Sequence, residues 1–266
     1  MKWSVIGSAM IVTVLAGCSS SSTITKEDLS FLYDKNTTKL RIPARLYHVN
    51  DLESEIHFKL HTQDLLYRRG GEGDPFASLV KLHFDAFDAN DRKLLIDSGT
   101  VFVSDLSDDT GQDKELIGKM AMKRVADKEL LVILSAHDLY RDIQSVRRIE
   151  LKKATPGHRQ NFMLVEKATG IPYFGDQISH PRELEIHCKQ YSNSTLYGSF
   201  HRVSGDLPKP VFSPHNGKRA IQNADSTFTV SIDEDGKGLL FPKRRGVYHL
   251  RVDTTSDAGL TVVLLG

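Results

Sequence analysis

The chain has 266 residues, enough for two domains of moderate size, and its 35 Lys and Arg against 34 Asp and Glu leave a formal charge of +1. So even a balance gives no broad electrostatic attraction for nucleic acid, and no nucleic-acid partner is expected. Its two cysteines, Cys18 and Cys188, exclude a fold stapled by several disulfides.

At the amino terminus Lys2 precedes an apolar run from Val5 to Leu15, interrupted only by Gly7, Ser8 and Thr13. The run is too short to span a bilayer and has the shape of a signal-peptide core. It ends in Leu15-Ala16-Gly17-Cys18, followed by Ser19-Ser20-Ser21-Ser22. That ending resembles the bacterial lipobox, in which the signal is cut before a cysteine that carries lipid. Residues 1–17 are therefore expected to be a lipoprotein signal peptide, and 18–35 the lipidated Cys18 and its tether. Each buried methylene of an acyl chain contributes roughly 0.8 kcal/mol, so several chains make a stable anchor. Ser19 rather than Asp after the cysteine resembles the sorting pattern of outer-membrane lipoproteins, on either the periplasmic or the outer face. No cofactor is expected beyond this covalent lipid. Cys188 then lacks an intrachain partner and reads as a buried structural thiol.

From residue 39 on, strand-like alternation dominates. In "KLRIPARLY" Leu40, Ile42, Ala44 and Leu46 share one face, and Pro43, which cannot donate to a ladder, predicts an edge strand. "SEIHFKLH" turns Ile56, Phe58 and Leu60 inward, which leaves His57 and His61 facing solvent, roughly 13 Å apart by strand rise and too distant to share a metal. "VKLHFDAF" follows, with Val80, Leu82, Phe84 and Ala86 on one face. "ELLVILS" reads as a central strand and "RRIELKK" as the last strand of this group, with a single helical turn around "AHDLYRDI" possible between them. "RRGGEGDPF", "DANDRK" and "SDDTGQDK" are turn-rich. "KKATPGHRQN", residues 152–161, reads as a linker. Beyond it come "ELEIHCKQ", with Leu184, Ile186 and Cys188 inward, then "LYGSFHRV", with Leu196, Gly198 and Phe200 on one face, then "FTVSI", "GVYHLRV" and "LTVVLL". Strands punctuated in this way, with no long helical period, predict an all-β chain of two tandem antiparallel β-sandwiches of immunoglobulin or fibronectin type, over 36–153 and 160–266, with no internal repeat visible in the sequence.

Four stretches invite a chemical reading. "LLIDSGTVFV" carries Asp97-Ser98-Gly99-Thr100, which resembles an aspartic-protease loop. Such chemistry needs two facing carboxylates that share a proton, and the nearest second candidate, Val252-Asp253-Thr254-Thr255, lacks the glycine. The stretch is expected instead to be a strand–turn–strand corner, with Gly99 present for backbone geometry and a protease using Asp97 as a remote alternative. "DEDGKG", Asp233 to Gly238, has the acid density of a calcium loop without its ligand spacing, and reads as a hairpin between "FTVSI" and "GLLF". Lys243-Arg244-Arg245 reads as a solvated turn. The proline-rich stretch from Gly205 to Lys218 is the expected partner surface, with Tyr197, Val211 and Phe212 as apolar anchors. No catalytic or metal site is assigned.

The order of segments also carries a family resemblance. "LYDKNTTKLRIPARLYH", "LLYRR", "LLIDSGTVFV", "ELEIHCKQYSNSTLYGSFHR", "LPKPVFS" and "GVYHLRVDTTSDAGLTVVLLG" are similar to the amino-terminal β region of the GWxTD-domain lipoproteins of Bacteroidota. The resemblance implies two β-sandwiches, an outer-membrane lipid anchor and no known enzymatic activity. The Gly-Trp-x-Thr-Asp motif itself is absent, and the single Trp is Trp3. The helical part that follows in that family would begin about where this sequence stops. The function expected is thus a non-catalytic, lipid-anchored binding or scaffold subunit of an envelope protein complex. A carbohydrate-binding surface lipoprotein is the alternative; it would need a row of exposed aromatics, which 8% aromatic content and a lone Trp in the signal do not favour.

Overall fold

A computed structural model describes residues 40–108, 113–123, 128–153, 155–202, 224–254 and 258–265. Cys18, Val211 and Phe212 lie outside the described residues. The described residues belong to one compact unit with two hydrophobic cores. Among them every regular element longer than a single 3-10 turn is a strand, so the expected all-β class holds.

The first seven strands are β1 (Ala44–His48), β2 (Glu53–His61), β3 (Phe76–Asp88), β4 (Leu95–Ser107), β5 (Glu115–Lys123), β6 (Leu130–Asp138) and β7 (Ile143–Leu151). They form two antiparallel sheets, in the orders β1-β2-β5 and β4-β3-β6-β7. Alternation sets the inner faces: Ile56, Phe58 and Leu60 of β2 meet Val80, Leu82, Phe84 and Ala86 of β3 in one core. β6, with Leu130, Val132, Leu134 and Ala136 buried, lies inside its sheet as its continuous apolar run predicts. β1 is an edge strand, and it begins only after Pro43, whose carbonyl accepts from the Lys59 N–H at 2.9 Å. The helical turn expected near Leu139 is the tight β6–β7 turn, with Asp142 at φ 58°.

The second sandwich comprises β8 (Met163–Glu166), β9 (Gln177–Ile178), β10 (Leu184–His187), β11 (Thr195–His201), β12 (Ser226–Ser231), β13 (Lys237–Leu240), β14 (Gly246–Arg251) and β15 (Leu260–Leu264). Its sheets run β13-β10-β8 and β12-β11-β14-β15-β9, with the short β9 joining in parallel. If β9 is set aside as an added edge, both sandwiches share one plan. The first, second and fifth strands form one sheet, and the fourth, third, sixth and seventh form the other. This is the immunoglobulin-like arrangement with its fourth strand on the second sheet. The Tyr248 hydroxyl, on the sixth strand of that plan, receives the Arg244 N–H at 2.9 Å and donates to the Arg244 carbonyl at 2.8 Å. Such a tyrosine corner is a hallmark of immunoglobulin-like sandwiches.

The shared plan exposes a repeat that the sequence alone did not announce. Glu53-Ser54-Glu55-Ile56-His57-Phe58-Lys59 and Glu183-Leu184-Glu185-Ile186-His187-Cys188-Lys189 match at five of seven positions. They include the second strand of each sandwich, β2 and β10. Ile56 and Ile186 are fully buried in their respective cores, while a Glu-x-His pair projects from the opposite face.

Two sequence expectations are corrected. Asp97-Ser98-Gly99 is not a corner. The chain reverses at residues 89–94, where Asp88 Oδ1 accepts from the Asn90 N–H at 2.9 Å, and β4, after a register shift at Ile96, continues as a strand through the DSG stretch. Gly99 does not have a positive φ; it sits opposite Phe84, whose ring would lie 2.6 Å from a Cβ there. The same cross-strand pairing joins Gly118 to Phe58 and Gly198 to Phe228. An aromatic ring thus covers a bare backbone three times, which explains these glycines by space rather than by turning. Second, "DEDGKG" is a tight turn, with Asp233 Oδ1 accepting from the Lys237 N–H at 2.7 Å, but β12 and β13 enter different sheets and form no hairpin ladder. The segment expected to link the sandwiches does lie between β7 and β8, and its described residues are hydrogen-bonded. Gln160 bonds to the backbone of Glu150 and Lys152, and Arg159–Asn161 form a 3-10 turn.

Gly118→Val would drive a side chain into Phe58, since even a Cβ would meet the ring at 2.4 Å. Overpacking of this kind costs about 1–3 kcal/mol. Chemical denaturation is expected to show that loss, and a variant as stable as the parent would contradict the covering role of Phe58.

Candidate functional site

A sandwich offers two outer sheet faces and the edges between them, and here one outer face is already occupied. The outer side of β1-β2-β5 receives residues of the second sandwich. The centre of this contact is Asp176, in the segment before β9. Its Oδ1 lies 3.2 Å from Nη2 of Arg45 on β1 and 2.9 Å from Nη2 of Arg159 in the connecting segment. Arg45 Nε also donates to the Phe174 carbonyl at 2.9 Å. Burial alone would raise the Asp176 carboxyl, but the charges and hydrogen bonds of Arg159 and then Arg45 hold it below the usual range. Beside this bridge Tyr47 is buried, its hydroxyl accepting from the Lys189 N–H at 3.3 Å. Burial pushes that phenol up to about 12. The cleft lined by Arg45, Tyr47, His57, Phe162, Met163 and Tyr173 encloses a void of only about 10 Å³, about the size of one water probe.

His57 belongs to this contact. The expectation that it faces solvent is therefore wrong: the outward side of β2 is covered, and His57 is 7% exposed. Its Nε2 lies 2.8 Å from Glu55 Oε2. His61, at the other end of β2, is half-buried, with Asp113 3.9 Å away. Sequence alternation correctly put both histidines on the outer face but could not show that a second domain covers one end of it.

The opposite outer face, on β4-β3-β6-β7, carries the candidate site. The register lays out its rows: Phe102, Lys81, His137 and Gln144 across one line, then Thr100, His83, Ser135 and Val146, then Ser98, Asp85, Ile133 and Arg148. His83 is held between Thr100 Oγ1 at 2.8 Å and Asp85 Oδ1 at 3.2 Å. Phe102 is 59% exposed and Leu106 63%, both on the solvent side of β4. Leu79 of β3 pairs with Ser104, diagonally between them, and its carbonyl accepts from the N–H of the exposed Leu139. Leu79, Phe102 and Leu106 thus lie at one end of the face, on β3 and on β4, the edge strand of its sheet, with the turn that begins at Leu139 hydrogen-bonded beside them. Both carboxylates of β4 are engaged: Asp97 Oδ2 accepts from the Lys123 N–H at 2.7 Å and Asp105 Oδ2 from the Tyr67 hydroxyl at 2.7 Å. β4 contains no lysine or proline, and the edge is marked instead by its two aspartates and by a register shift opposite Ala86 and Phe87. Sequence reading missed Phe102 and Leu106. The available signal was apolar residues at both parities in "TVFVSDL", with Val101 and Val103 pointing in and Phe102 and Leu106 pointing out.

Of the anchors expected from sequence, Tyr197 is described. It stands on the outer face of β11, 42% exposed, between Thr229 of β12 and Arg251 of β14. Its neighbours are polar, so it is not part of an apolar cluster there. Asp97 lines an open groove of about 800 Å³ with Asn50–Glu53, Ser98 and Ala121–Lys123. It sits in a strand rather than on a loop, with its carboxylate already engaged. Arg244 of the basic triplet packs over the Phe200 ring, 4.4 Å from its centroid, and donates to Ser226 Oγ. Cys188 is free and buried, and burial pushes its thiol up to about 12. Among the described residues no three His, Cys, Asp or Glu are grouped so as to hold a metal ion, and no helix is long and apolar enough to cross a membrane. Among the described residues the exposed aromatics Phe102 on β4, Tyr197 on β11 and Phe241 just after β13 form no row.

No family model and no curated protein matches the chain. Solved structures do match, among them one titled "Crystal structure of CBD12 from CALX1.2", at 10% identity over 80% of this chain and 82% of that one, with a TM-score of 0.21. A likeness of that size carries no argument, so the fold assignment above rests on the sheet order and the tyrosine corner.

Phe102 is exposed, so it contributes to display rather than to the core. Phe102→Ser is expected to change unfolding stability by less than about 0.5 kcal/mol in chemical denaturation. A larger loss would make Phe102 a packing residue and remove it from the site.

Proposed function

We propose that this protein is a lipid-anchored binding or scaffold subunit of the bacterial cell envelope, acting through surface contact rather than catalysis. The observation that carries the reading is the pair Phe102 and Leu106, large apolar side chains left in solvent on an edge strand of a rigid sheet. Isolated exposed apolar residues are ordinary, but several gathered on one face mark a contact surface. Polar groups fixed around them, such as His83 between Thr100 and Asp85, would give such a contact register. Cys18 is the proposed lipid attachment point, and the outer membrane the proposed location, on either face. Anchoring would confine the module near other envelope proteins and raise its effective concentration for them. The resemblance to the β region of GWxTD-domain lipoproteins supports the same reading.

The test is a photo-crosslinking amino acid placed at position 102 in cells, with position 229, on the outer face of the second sandwich, as comparison. A discrete protein adduct is expected from position 102 and not from 229, and Leu106→Asp is expected to remove it. No adduct at 102, or equal labelling at both positions, would rule out this face as the binding surface.

A further inference from the structure

Four of the chain's eleven histidines sit where the two sandwiches meet. His48, at the end of β1, is fully buried, and its ring centroid lies 6.5 Å from that of His158 in the connecting segment. His57 on β2 is buried in the cleft, close enough to His187 on β10 to feel that ring's charge. His57 and His187 are the equivalent residues of the repeated Glu-x-Glu-Ile-His segment, so the duplicated strand brings its histidine to the contact from both sides.

We propose that this histidine cluster makes the contact between the sandwiches acid-sensitive, closed near neutral pH and loosened when the rings take up protons. His158, whose charged neighbours are Lys152, Arg159 and Glu129 and whose ring lies beside that of His48, gives the most direct reason. Its Nδ1 accepts the Gln160 N–H at 3.3 Å, capping the 3-10 turn of the connector. A protonated imidazole has no lone pair with which to accept, so the cap and the charged ring exclude each other. His57 gives the second reason. The charged and titratable groups around it are the Arg45 guanidinium and the neutral Tyr47 phenol of β1, Glu55 and Lys59 of β2 and Lys119 of β5. From the second sandwich they are Glu185 and His187 of β10, Lys237 of β13, Lys189, and Arg159, Tyr173 and Asp176. Glu55 favours the protonated ring, but it already binds Lys119 at 2.7 Å. Glu185 is held by His187 and Lys237, and Asp176 by Arg45 and Arg159. A new charge on His57 therefore enters a buried site in which Glu55 Oε2 is the one carboxylate oxygen bonded to it, while Arg45 and Lys119 stand directly opposite it on the neighbouring strands.

The sign follows. Burial lowers both His57 and His158 below the usual imidazole value, against the opposing pull of Glu55 at His57 and reinforced by Lys152 and Arg159 at His158. The open state binds these protons more tightly than the closed one. Closure is thus fully favoured above the ordinary histidine value of about 6.5 and weakens as pH falls toward the depressed values. Asp176, held below the usual carboxylate range, stays ionised over that window, so its bridge is not what gives way.

The test uses the full chain with spin labels on Ser104→Cys in β4 and Thr229→Cys in β12, with distances measured from about pH 7.5 to about pH 5, a span that brackets ordinary imidazole titration. A narrow distance distribution at neutral pH is expected to broaden reversibly, with a midpoint below about 6.5. His57→Gln with His158→Gln, in which the amides keep a donor for Glu55 and an acceptor for Gln160, is expected to stay narrow throughout. A parent distribution that does not change with pH overturns the proposal, as does equal broadening in the double variant.

Discussion

One carboxylate shared by two guanidiniums fixes how this molecule presents itself. Asp176 lies between Arg45 of the first sandwich and Arg159 of the connector, and each cation is also tied to a carbonyl, Arg45 to Phe174 and Arg159 to Phe162. Because Arg159 is mostly buried, leaving it unpaired would cost more than an exposed ion pair gains. The bridge seats the second sandwich on the outer side of β1-β2-β5. What remains open on the first sandwich is therefore the face of β4-β3-β6-β7, where Phe102 and Leu106 stand in solvent. The site is defined as much by what the bridge covers as by what it leaves exposed.

The same constraint gives different roles to repeated residues. Glu55-Ile56-His57 and Glu185-Ile186-His187 are the same tripeptide on equivalent strands. Both isoleucines pack inward, as strand alternation requires. The pair on β2 has the less exposed side chains, 9% and 16% for His57 and Glu55 against 24% and 23% for His187 and Glu185, and each glutamate also pairs with a lysine, Lys119 or Lys237. One local sequence yields two electrostatic settings because the domain contact desolvates one copy more than the other.

Much of the fold was legible from period-two patterning. The inward sets Ile56, Phe58 and Leu60, and Leu184, Ile186 and Cys188, are buried as that pattern predicts, and Pro43 stands just before an edge strand. The failures have a common physical origin. Asp97-Ser98-Gly99 reads as a turn from composition, yet a glycine in a strand can answer to a ring across the ladder, and Phe84 is a neighbour only after β3 and β4 have paired. His57 reads as solvent-facing because alternation distinguishes the two faces of a strand but not whether the outer one is later covered. Phe102 and Leu106 were missed because the supposed corner hid the continuity of β4. The seven-residue repeat became evident only once equal sheet orders had aligned β2 with β10.

The central claim is that the Asp176 bridge joins the two sandwiches into one body near neutral pH. Residual dipolar couplings measured on backbone amides in a weakly aligned sample test it directly. If the bridge holds, a single alignment tensor fits the couplings from β1–β7 and from β8–β15 together. Separate tensors of unequal magnitude for the two sets would mean that the sandwiches move independently, and would contradict the account.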